Sequence, residues 1–220
     1  MQTIASENLI LIEDDPYSEI SFNGKAPAPV SFLIPGQSVL TGSFSKMISP
    51  GIRTGWIVAN SYLKPYLLKA KQASDLHTNN LVQHLIYQFL IHNNVEEHLN
   101  RIRENYLLQK KSMLGELFKN FPKDTVTTDP DGGMFLWATL PCEYDTGDLI
   151  HYASKEKVLY VPGKTFFVNG DGNHSMRLNY TNSSPEEIVT GMKRLGLSIA
   201  KYRNDLNRDN KLKKSEVSNY

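Results

Sequence analysis

Short runs of strand-forming residues alternate with longer helical stretches along this chain, and that alternation constrains the fold more than any other feature. Strands interspersed with helices are typical of α/β proteins. We therefore predict an α/β architecture with strands at Leu9 to Ile12, Val39 to Thr41, Trp56 to Ala59, Met134 to Leu140, Val158 to Val161 and Met176 to Tyr180.

Two long helical patterns separate the third and fourth of these strands. The first has apolar residues from Leu81 to Leu90 at the spacing of one helix face. The second begins at the capping sequence Asn94-Val95-Glu96-Glu97 and continues an apolar stripe toward Phe121. A further cap, Ser184-Pro185-Glu186-Glu187, opens a last helix. We expect the domain to end near Tyr202 and the polar segment from Asn204 to Tyr220 to form a frayed tail.

The charge balance and the rare residue types exclude several classes of function. With 24 Lys plus Arg against 23 Asp plus Glu in 220 residues, no basic field exists to attract nucleic acid or an anionic membrane. No apolar run approaches membrane-spanning length. The one cysteine, Cys142, cannot form an intrachain disulfide, which favours the cytoplasm. None of the six histidines has the spacing of a metal-ligand pair, so we expect no metal.

A lysine with small hydroxyl neighbours follows the second strand, in Thr41-Gly42-Ser43-Phe44-Ser45-Lys46. Arg53 comes seven positions later, in Pro50-Gly51-Ile52-Arg53-Thr54-Gly55-Trp56, which leads into the next strand. Lys46 at such a strand end could form an imine while its neighbours hold a phosphate. The same residues also fit a surface lysine in a serine-rich turn.

Acidic residues follow the first strand, in Ile12-Glu13-Asp14-Asp15-Pro16-Tyr17. Open α/β sheets bind ligands at the carboxyl ends of their strands. A carboxylate at that place suits a protonated ring nitrogen, and a phenol suits a ring oxygen, so Asp14 and Tyr17 could serve a pyridoxal ring. The alternative is an ordinary turn, because Asp-Asp-Pro-Tyr is favourable turn chemistry.

These motifs together carry a family resemblance that covers nearly all of residues 1 to 202. The chain resembles the second half of class I/II aminotransferases of fold type I, and is most similar to the branch that includes 2-aminoadipate and kynurenine transaminases. The matching blocks are Ile12 to Tyr17, Gly42 to Lys46 with Pro50 to Trp56, Pro130 to Trp137, Val161 to Phe167 and Arg177 to Tyr180.

The resemblance implies a pyridoxal 5'-phosphate enzyme that transfers an amino group from an amino acid to a 2-oxo acid. It implies that Lys46 forms the Schiff base and then moves the substrate proton. By position, Asp14 pairs with the pyridine nitrogen and Tyr17 with the ring oxygen. Ser43, Ser45 and Arg53 would contact the phosphate, since Arg offers a planar fork.

Arg177 matches the arginine that binds the substrate α-carboxylate in this family. Its spacing alone favours a strand-edge arginine in a surface ion pair, and the family match reverses that preference. Gly132-Gly133 and Val161-Pro162-Gly163 resemble segments that border the substrate pocket, although either could be a turn before a strand. For Trp56, Phe135 and Trp137 we expect core packing.

The resemblance also implies a domain organisation and partners. Residues 1–93 would form the C-terminal part of the cofactor-binding large domain, with a mixed, mainly parallel sheet. Residues 94–202 would supply a long linking helix and a small C-terminal α+β domain, and residues 203–220 a polar tail. Amino-acid and 2-oxo-acid substrates, a homodimer and a cytoplasmic location are expected, with no nucleic acid and no membrane.

Two further expectations concern what this sequence omits. The family's arm, glycine-rich phosphate loop and ring-stacking aromatic residue have no counterpart here, so we expect a fragment with an exposed apolar face and weak or no activity alone.

The alternative function is the aminotransferase-like effector domain of a winged-helix transcription regulator. Asp-Asp-Pro-Tyr favours the enzymes over these regulators, in which an Asp-Tyr-Asp form is expected.

Overall fold

The computed structural model describes residues 6, 7 and 9–217, with side chains as far as residue 208. The chain divides into two compact units, one of Met1–Glu104 with Asp131–Gly133 and the other of Asn105–Pro130 with Met134–Tyr220. The elements in order are β1 (Leu11–Asp14), β2 (Ser38–Ser43), β3 (Gly55–Ala59), α1 (Lys64–Asp75), α2 (Asn80–His92), α3 (Val95–Asn120), β4 (Val126–Thr127), β5 (Phe135–Thr139), α4 (Thr146–Lys155), β6 (Val161–Pro162), β7 (Ser175–Asn179) and α5 (Pro185–Val217).

The first unit contains a three-stranded sheet in the order β1-β2-β3. β1 pairs with β2 in parallel, and β2 pairs with β3 antiparallel. The sheet is therefore mixed, as expected, but parallel pairing does not predominate among the described strands. The loop at 44–54 is too short to return the chain to the start of the sheet, so β3 must run opposite to β2.

Apolar side chains of the first unit are mostly exposed. In α1 no residue is buried, and in α2 only Ile86 is. Ile12 in β1, Ile57 in β3 and Leu81 in α2 are 71%, 55% and 68% exposed. The predicted exposed apolar face is thus confirmed for the described residues. Large exposed apolar surfaces on single proteins usually contact another polypeptide, a ligand or a membrane.

The second unit has a four-stranded antiparallel sheet in the order β4-β5-β7-β6. Alternate residues of β5 and β7, such as Leu136, Ala138 and Leu178, are at most 4% exposed. They belong to one core with buried residues of α4 and α5, which pack against each other. The remaining alternate residues point to the opposite face of the sheet, which is the candidate face for a site.

Both predicted helix caps are present. Asn94 Oδ1 accepts a hydrogen bond from the backbone N–H of Glu97 at 3.2 Å. At α5 the bonds are reciprocal: the Glu187 N–H donates to Ser184 Oγ at 3.2 Å, and the Ser184 N–H donates to Glu187 Oε2 at 2.8 Å. Each cap satisfies backbone N–H groups that have no partner inside the helix.

The frayed tail predicted from Asn204 onward is wrong as far as Val217, because α5 continues to that residue. The residues beyond Tyr202 are mostly polar, but many are good helix formers such as Lys, Arg, Leu and Glu. Extending an existing helix requires no new nucleation, which is the costly step. Residues 218–220, the end of the predicted tail, lie outside the described residues.

The first strand begins two residues later than predicted, at Leu11 rather than Leu9. The partner strand supplies a reason, since Leu11 pairs with Ser38, the first residue of β2, and Pro35–Gln37 before it form a 3₁₀ turn. Within β1, the Glu13 carboxylate accepts the backbone N–H groups of Ser31 at 2.7 Å and Val30 at 3.0 Å. These bonds, led by the one from Ser31, lower the pKa of Glu13. The contact spans residues far apart in sequence and aligns β1 in a way that no local pattern reveals.

Three other differences concern the second half of the chain and α1. Only Val161–Pro162 is a strand where Val158 to Val161 was predicted. Helices α1 and α4 and the short strand β4 were not predicted at all. The two compact units divide inside α3, between Glu104 and Asn105, whereas the domain boundary expected at residue 94 stays a prediction. No described helix is both long and apolar enough to cross a membrane.

Candidate active site

Two adjacent aspartates end β1, and the structure gives them different partners. The parallel register places Asp14 opposite Thr41, whose hydroxyl donates to Asp14 Oδ1 at 2.8 Å. Asp15 makes the turn instead, with Oδ1 accepting the backbone N–H groups of Ser18 at 2.9 Å and Tyr17 at 3.3 Å. The turn predicted as the alternative is present, and it uses Asp15 rather than Asp14.

Tyr17 lies directly before the short 3₁₀ turn Ser18–Ile20. Its carbonyl accepts the backbone N–H of Ile20 at 2.8 Å, and the Ile20 side chain is fully buried. The half-buried Tyr17 ring is therefore attached to a fixed backbone close to the end of β1.

Lys46 lies in the loop between β2 and β3, residues 44–54, which we call the lysine loop. Its ends are joined by the Phe44 N–H donating to the Thr54 carbonyl at 3.1 Å. Within it, the Ile48 N–H donates to the Phe44 carbonyl at 2.9 Å, which forms a single helical turn around Lys46. Lys46 is half-buried, and its backbone lies within this hydrogen-bonded turn.

His98 on α3 forms a hydrogen bond to the lysine loop. From the sequence, His98 was considered only as a possible metal ligand. Its Nε2 lies 2.8 Å from the carbonyl oxygen of Met47. A carbonyl can only accept, so Nε2 carries the proton. Phe89 of α2 packs edge-on against the imidazole, with ring centroids 5.4 Å apart. A contact across so many residues leaves no local signal in the sequence.

The hydroxyl residues and Arg53 belong to the same loop and strand end. Ser43 Oγ accepts the Ser45 backbone N–H at 3.1 Å and keeps its own proton to donate. Arg53 has a left-handed backbone with φ of 47°, and its Nη1 donates to the Pro50 carbonyl at 3.2 Å. Ser43, Ser45 and Lys46 thus share one turn, and no described hydrogen bond joins Arg53 to the serines.

Two glycines allow β2 and β3 to approach closely just before Lys46. A Cβ at Gly42 would collide with the indole of Trp56, and a Cβ at Gly55 would lie 2.7 Å from the Gly42 carbonyl oxygen. The Trp56 indole covers Gly42 but is 37% exposed. The prediction of core packing for Trp56 is therefore wrong in this unit, where it forms a partly exposed cover on the strand.

Arg177 lies in the second unit, at the centre of β7. It pairs with Trp137 of β5 and with Val161 of β6, on the sheet face opposite the core. Its guanidinium carbon lies 4.2 Å from the ring centre of Phe135 and 4.7 Å from that of Phe166. The Nε atom is buried and has no hydrogen-bond partner among the described residues. The predicted alternative, a surface ion pair, is not found for Arg177 in the described part of the chain.

The aromatic residues around Arg177 also differ from expectation. Phe135 and Trp137 are half-buried and share the Arg177 face, while their neighbours Leu136 and Ala138 are in the core. The prediction that Phe135 and Trp137 pack in the core is therefore wrong. Strand alternation explains the difference, because successive side chains point to opposite faces of a sheet.

A 3₁₀ turn, Gly163–Phe166, carries Phe166 to this face. Gly163 is buried, and a Cβ there would lie 2.7 Å from the carbonyl oxygens of Gly172 and Ser175. Only glycine permits this approach, so the chain can turn immediately after β6. Phe166 is a functional candidate that sequence analysis missed as an individual residue, although the block ending at Phe167 was matched.

The structure brings six of the seven predicted site residues into the first unit, on two neighbouring strand ends and one loop: Asp14, Tyr17, Ser43, Ser45, Lys46 and Arg53. Arg177 belongs to the second unit. Within the described ranges, no group of three or more His, Cys, Asp or Glu side chains is arranged to hold a metal ion.

Comparisons with known proteins identify relatives of this chain. A family model for aminotransferases of class I and II matches residues 1–195. The crystal structure of α-aminoadipate aminotransferase from Thermus thermophilus, complexed with N-(5'-phosphopyridoxyl)-L-leucine, is 36% identical, with a TM-score of 0.84 over 91% of this chain and 52% of its own. The structure of kynurenine aminotransferase from Pyrococcus horikoshii is 34% identical, with a TM-score of 0.85 over 91% and 50%.

A transcription regulator is also similar. The HTH-type regulator NorG of Staphylococcus aureus is 33% identical over 187 residues, which cover 82% of this chain and 40% of the regulator. The chain spans about half the length of the curated relatives it matches, for example 51% of a 2-aminoadipate transaminase. The family resemblance predicted from the motifs is confirmed by these matches.

Proposed function

Because the chain belongs to the class I and II aminotransferase family, we propose that it carries the lysine-bearing part of a pyridoxal-phosphate-dependent transaminase. The reaction is transfer of an amino group from an amino acid to a 2-oxo acid. The observation that carries the proposal is the juxtaposition of Asp14 and the Ser43 end of β2 on adjacent parallel strands, directly before Lys46.

The donor set fits this cofactor. Asp15 satisfies the turn, and Asp14 is held by a hydroxyl donor, so Asp14 is available as an acceptor for a protonated ring nitrogen. Ser43 retains a hydroxyl proton for a phosphate oxygen. When bound, pyridoxal phosphate supplies the carbonyl that an amine can attack and the electron sink that stabilises a carbanion.

Lys46 is the proposed catalytic residue. Its Nζ would hold the cofactor covalently at rest and, once displaced by the substrate amine, would take the proton from the substrate α-carbon as a general base. The hydrogen bond between Phe44 and Thr54 keeps the loop that carries Lys46 at the end of β2. Such positioning makes the proton transfer effectively intramolecular.

The remaining cofactor contacts are proposed from position in the fold. Tyr17 would reach the ring oxygen from its fixed turn, and Ser43 and Ser45 would donate to the phosphate. Arg53 would join them if its guanidinium left the Pro50 carbonyl, an exposed hydrogen bond that is readily exchanged for a charge-assisted one.

Arg177 is proposed to bind the substrate carboxylate. Its buried Nε has no partner among the described residues, and an unpaired buried donor costs about 1–3 kcal/mol unless a ligand accepts from it. A planar guanidinium can give a carboxylate two parallel hydrogen bonds, which lysine cannot do. These facts support the assignment of a carboxylate to this face of the sheet.

The wider organisation is proposed from the family. The first 93 residues would be part of the fold type I large domain, residues 94–202 the linking helix and small C-terminal domain, and residues 203–220 an appended polar segment. We further propose a cytoplasmic homodimer that acts in amino-acid metabolism, including biosynthesis. The apolar surface of the first unit supports a requirement for further polypeptide around the cofactor site.

Covalent capture of the cofactor tests the proposal. The purified 220-residue chain is mixed with pyridoxal phosphate and reduced with borohydride, and the modified peptide is identified by mass spectrometry. We expect the adduct on Lys46, and its loss in Lys46→Ala together with the visible absorbance of the bound cofactor. The exposed Lys69 of α1 is the matched control, since Lys69→Ala should retain both signals. An adduct spread over several lysines would contradict the proposal.

A second candidate function is the effector domain of a transcription regulator, which the similarity to NorG favours. Such a domain would also bind the cofactor on Lys46, so capture alone does not distinguish the two functions. The nucleotide sequence upstream of the Met1 codon does. A winged-helix domain encoded there in frame would establish the regulator, whereas further aminotransferase sequence would establish the enzyme.

A further inference from the structure

The guanidinium of Arg177 contacts two aromatic rings. Its central carbon lies 4.2 Å from the centre of the Phe135 ring and 4.7 Å from that of Phe166. Both separations are within the range in which a cation is attracted to an aromatic face. Arg177 therefore has two stabilising partners that accept none of its hydrogen bonds.

The two rings come from different kinds of element. Phe135 is on β5, diagonal to Arg177 across the antiparallel pair, and is fixed by the strand register. Phe166 ends the 3₁₀ turn after β6 and is 46% exposed. One of the two contacting rings thus belongs to the sheet and the other to a residue near the surface.

Trp137 supports the exposed ring. Its indole meets Phe166 edge to face, with centroids 5.4 Å apart and planes at 81°. That arrangement is favourable because the positive edge of one ring meets the negative face of the other. The ring of the next residue, Phe167, also lies near Trp137, with centroids 6.1 Å apart, but it makes no cation–aromatic contact with Arg177.

We propose that Phe166 is a positioning residue that, with Phe135, holds the Arg177 guanidinium in the orientation needed to bind a substrate carboxylate. The inference rests on the proposed carboxylate role of Arg177. It adds that Phe166 and Phe135 keep the Arg177 side chain in place when no substrate is bound.

Aromatic partners suit this task better than acidic ones. A carboxylate partner would use the N–H donors of Arg177 and would compete with the substrate for them. An aromatic face attracts the cation through its quadrupole and leaves every N–H in the guanidinium plane available. The Nε atom is buried, and a lower local dielectric constant strengthens a charge-assisted pair with the incoming carboxylate.

The test measures both the orientation of the guanidinium and its affinity for a carboxylate, in the 220-residue chain. The Arg177 Nε–H resonance is identified in ¹H–¹⁵N spectra by its absence from Arg177→Lys. We expect it to be shifted upfield by the two rings. Pyruvate is titrated as the probe, and its dissociation constant is taken from the change in this and neighbouring resonances.

Phe166→Leu should move the Nε–H resonance downfield and weaken pyruvate binding by about tenfold, the upper range of a single partly exposed cation–aromatic contact. Phe166→Tyr restores the aromatic face and should return both values to within about twofold of the parent. Phe167→Leu is the matched control, because it removes a neighbouring ring without touching Arg177. It should change neither value.

Two failures are distinguishable. If Phe166→Leu leaves the resonance and the affinity unchanged while Arg177→Lys weakens pyruvate binding, the positioning role of Phe166 is wrong and the carboxylate role of Arg177 stands. If Arg177→Lys binds pyruvate as well as the parent chain, the carboxylate role itself is wrong. Phe135→Leu provides a second variant with the same expected direction should Phe166→Leu fail to fold.

Discussion

Identical neighbouring residues in this chain have different tasks. Asp15 supplies the turn after β1, and Asp14 keeps its carboxylate at the strand end beside Thr41. Phe166 contacts the Arg177 guanidinium, and Phe167 does not. In each pair the backbone direction decides which side chain faces the site, since the residue types offer the same chemistry.

Tyr160 provides a residue-scale prediction about stability. Its hydroxyl donates to the Thr146 carbonyl at 2.6 Å in the core of the second unit. Tyr160→Phe leaves that carbonyl without this donor, and we expect a loss of about 1–3 kcal/mol in the free energy of unfolding. Fluorescence of Trp137 in a Trp56→Phe background follows unfolding of the second unit. Tyr152→Phe, which loses a less buried bond to Asp205, should cost less.

The same residue sets a pH dependence. Burial raises the pKa of Tyr160 above its ordinary value of 10.0. Below that value the Tyr160 phenol is neutral in both the folded and the unfolded chain, so its hydrogen bond contributes fully to the stability. Above it only the unfolded phenol ionises, and stability is lost as pH rises toward the folded pKa. Tyr160→Phe should therefore lose less stability than the parent chain on going above pH 10.0. An equal loss in both would contradict this.

At the scale of elements, the position of Lys46 depends on a loop held at both ends and fastened by a helix. β2 and β3 close the lysine loop through Phe44 and Thr54, and α3 fastens it through His98. Glycines at 42 and 55 let the two strands meet without clashes. Lys46 is thus placed by three elements rather than by its own sequence motif.

Replacing His98 tests this fastening. His98→Phe keeps an aromatic ring against Phe89 but cannot donate to the Met47 carbonyl. We expect backbone amide exchange at Ile48 to accelerate about tenfold, because a net hydrogen bond contributes about 1 kcal/mol or slightly more. The exposed His92 of α2 offers the control, since His92→Phe should leave Ile48 unchanged. Unaltered exchange in His98→Phe would show that the strands alone hold the loop.

At the scale of the whole molecule, the two units differ in how much apolar surface they bury. The core of the second unit includes fully buried residues from every layer, among them Leu136, Leu149, Met176 and Leu195. The first unit buries few apolar side chains and exposes most of those on its sheet and on α1 and α2. Since burial of apolar area is the main stabilising contribution, the first unit should be the less stable.

Two single-tryptophan variants measure this difference, because each unit contains one of the two tryptophans. Trp137→Phe leaves Trp56 to report the first unit, and Trp56→Phe leaves Trp137 to report the second. In urea we expect the Trp56 signal to change at a clearly lower midpoint. Coincident transitions would mean that the units unfold together, and would contradict the expected difference. Addition of pyridoxal phosphate should raise the Trp56 midpoint, since a ligand of the folded state stabilises it.

The sequence by itself determined what depends on local chemistry. The α/β alternation, the caps at Asn94 and Ser184, and the order of the motifs around Lys46 follow from side-chain periodicity and short-range hydrogen bonding. They were sufficient to predict the family, which the comparisons confirm. The individual roles of Lys46, Asp14 and Arg177 stay proposals.

Only the tertiary structure decided what depends on contacts between distant residues. Glu13 meets Ser31, His98 meets Met47, and Phe166 meets Arg177. Each contact crosses a separation over which the sequence carries no periodic signal, so neither the hydrogen bonds of Glu13, the attachment of the lysine loop to α3 nor the aromatic contacts of Arg177 could be predicted. Local patterns fix which elements form, and the packing of those elements fixes which side chains meet.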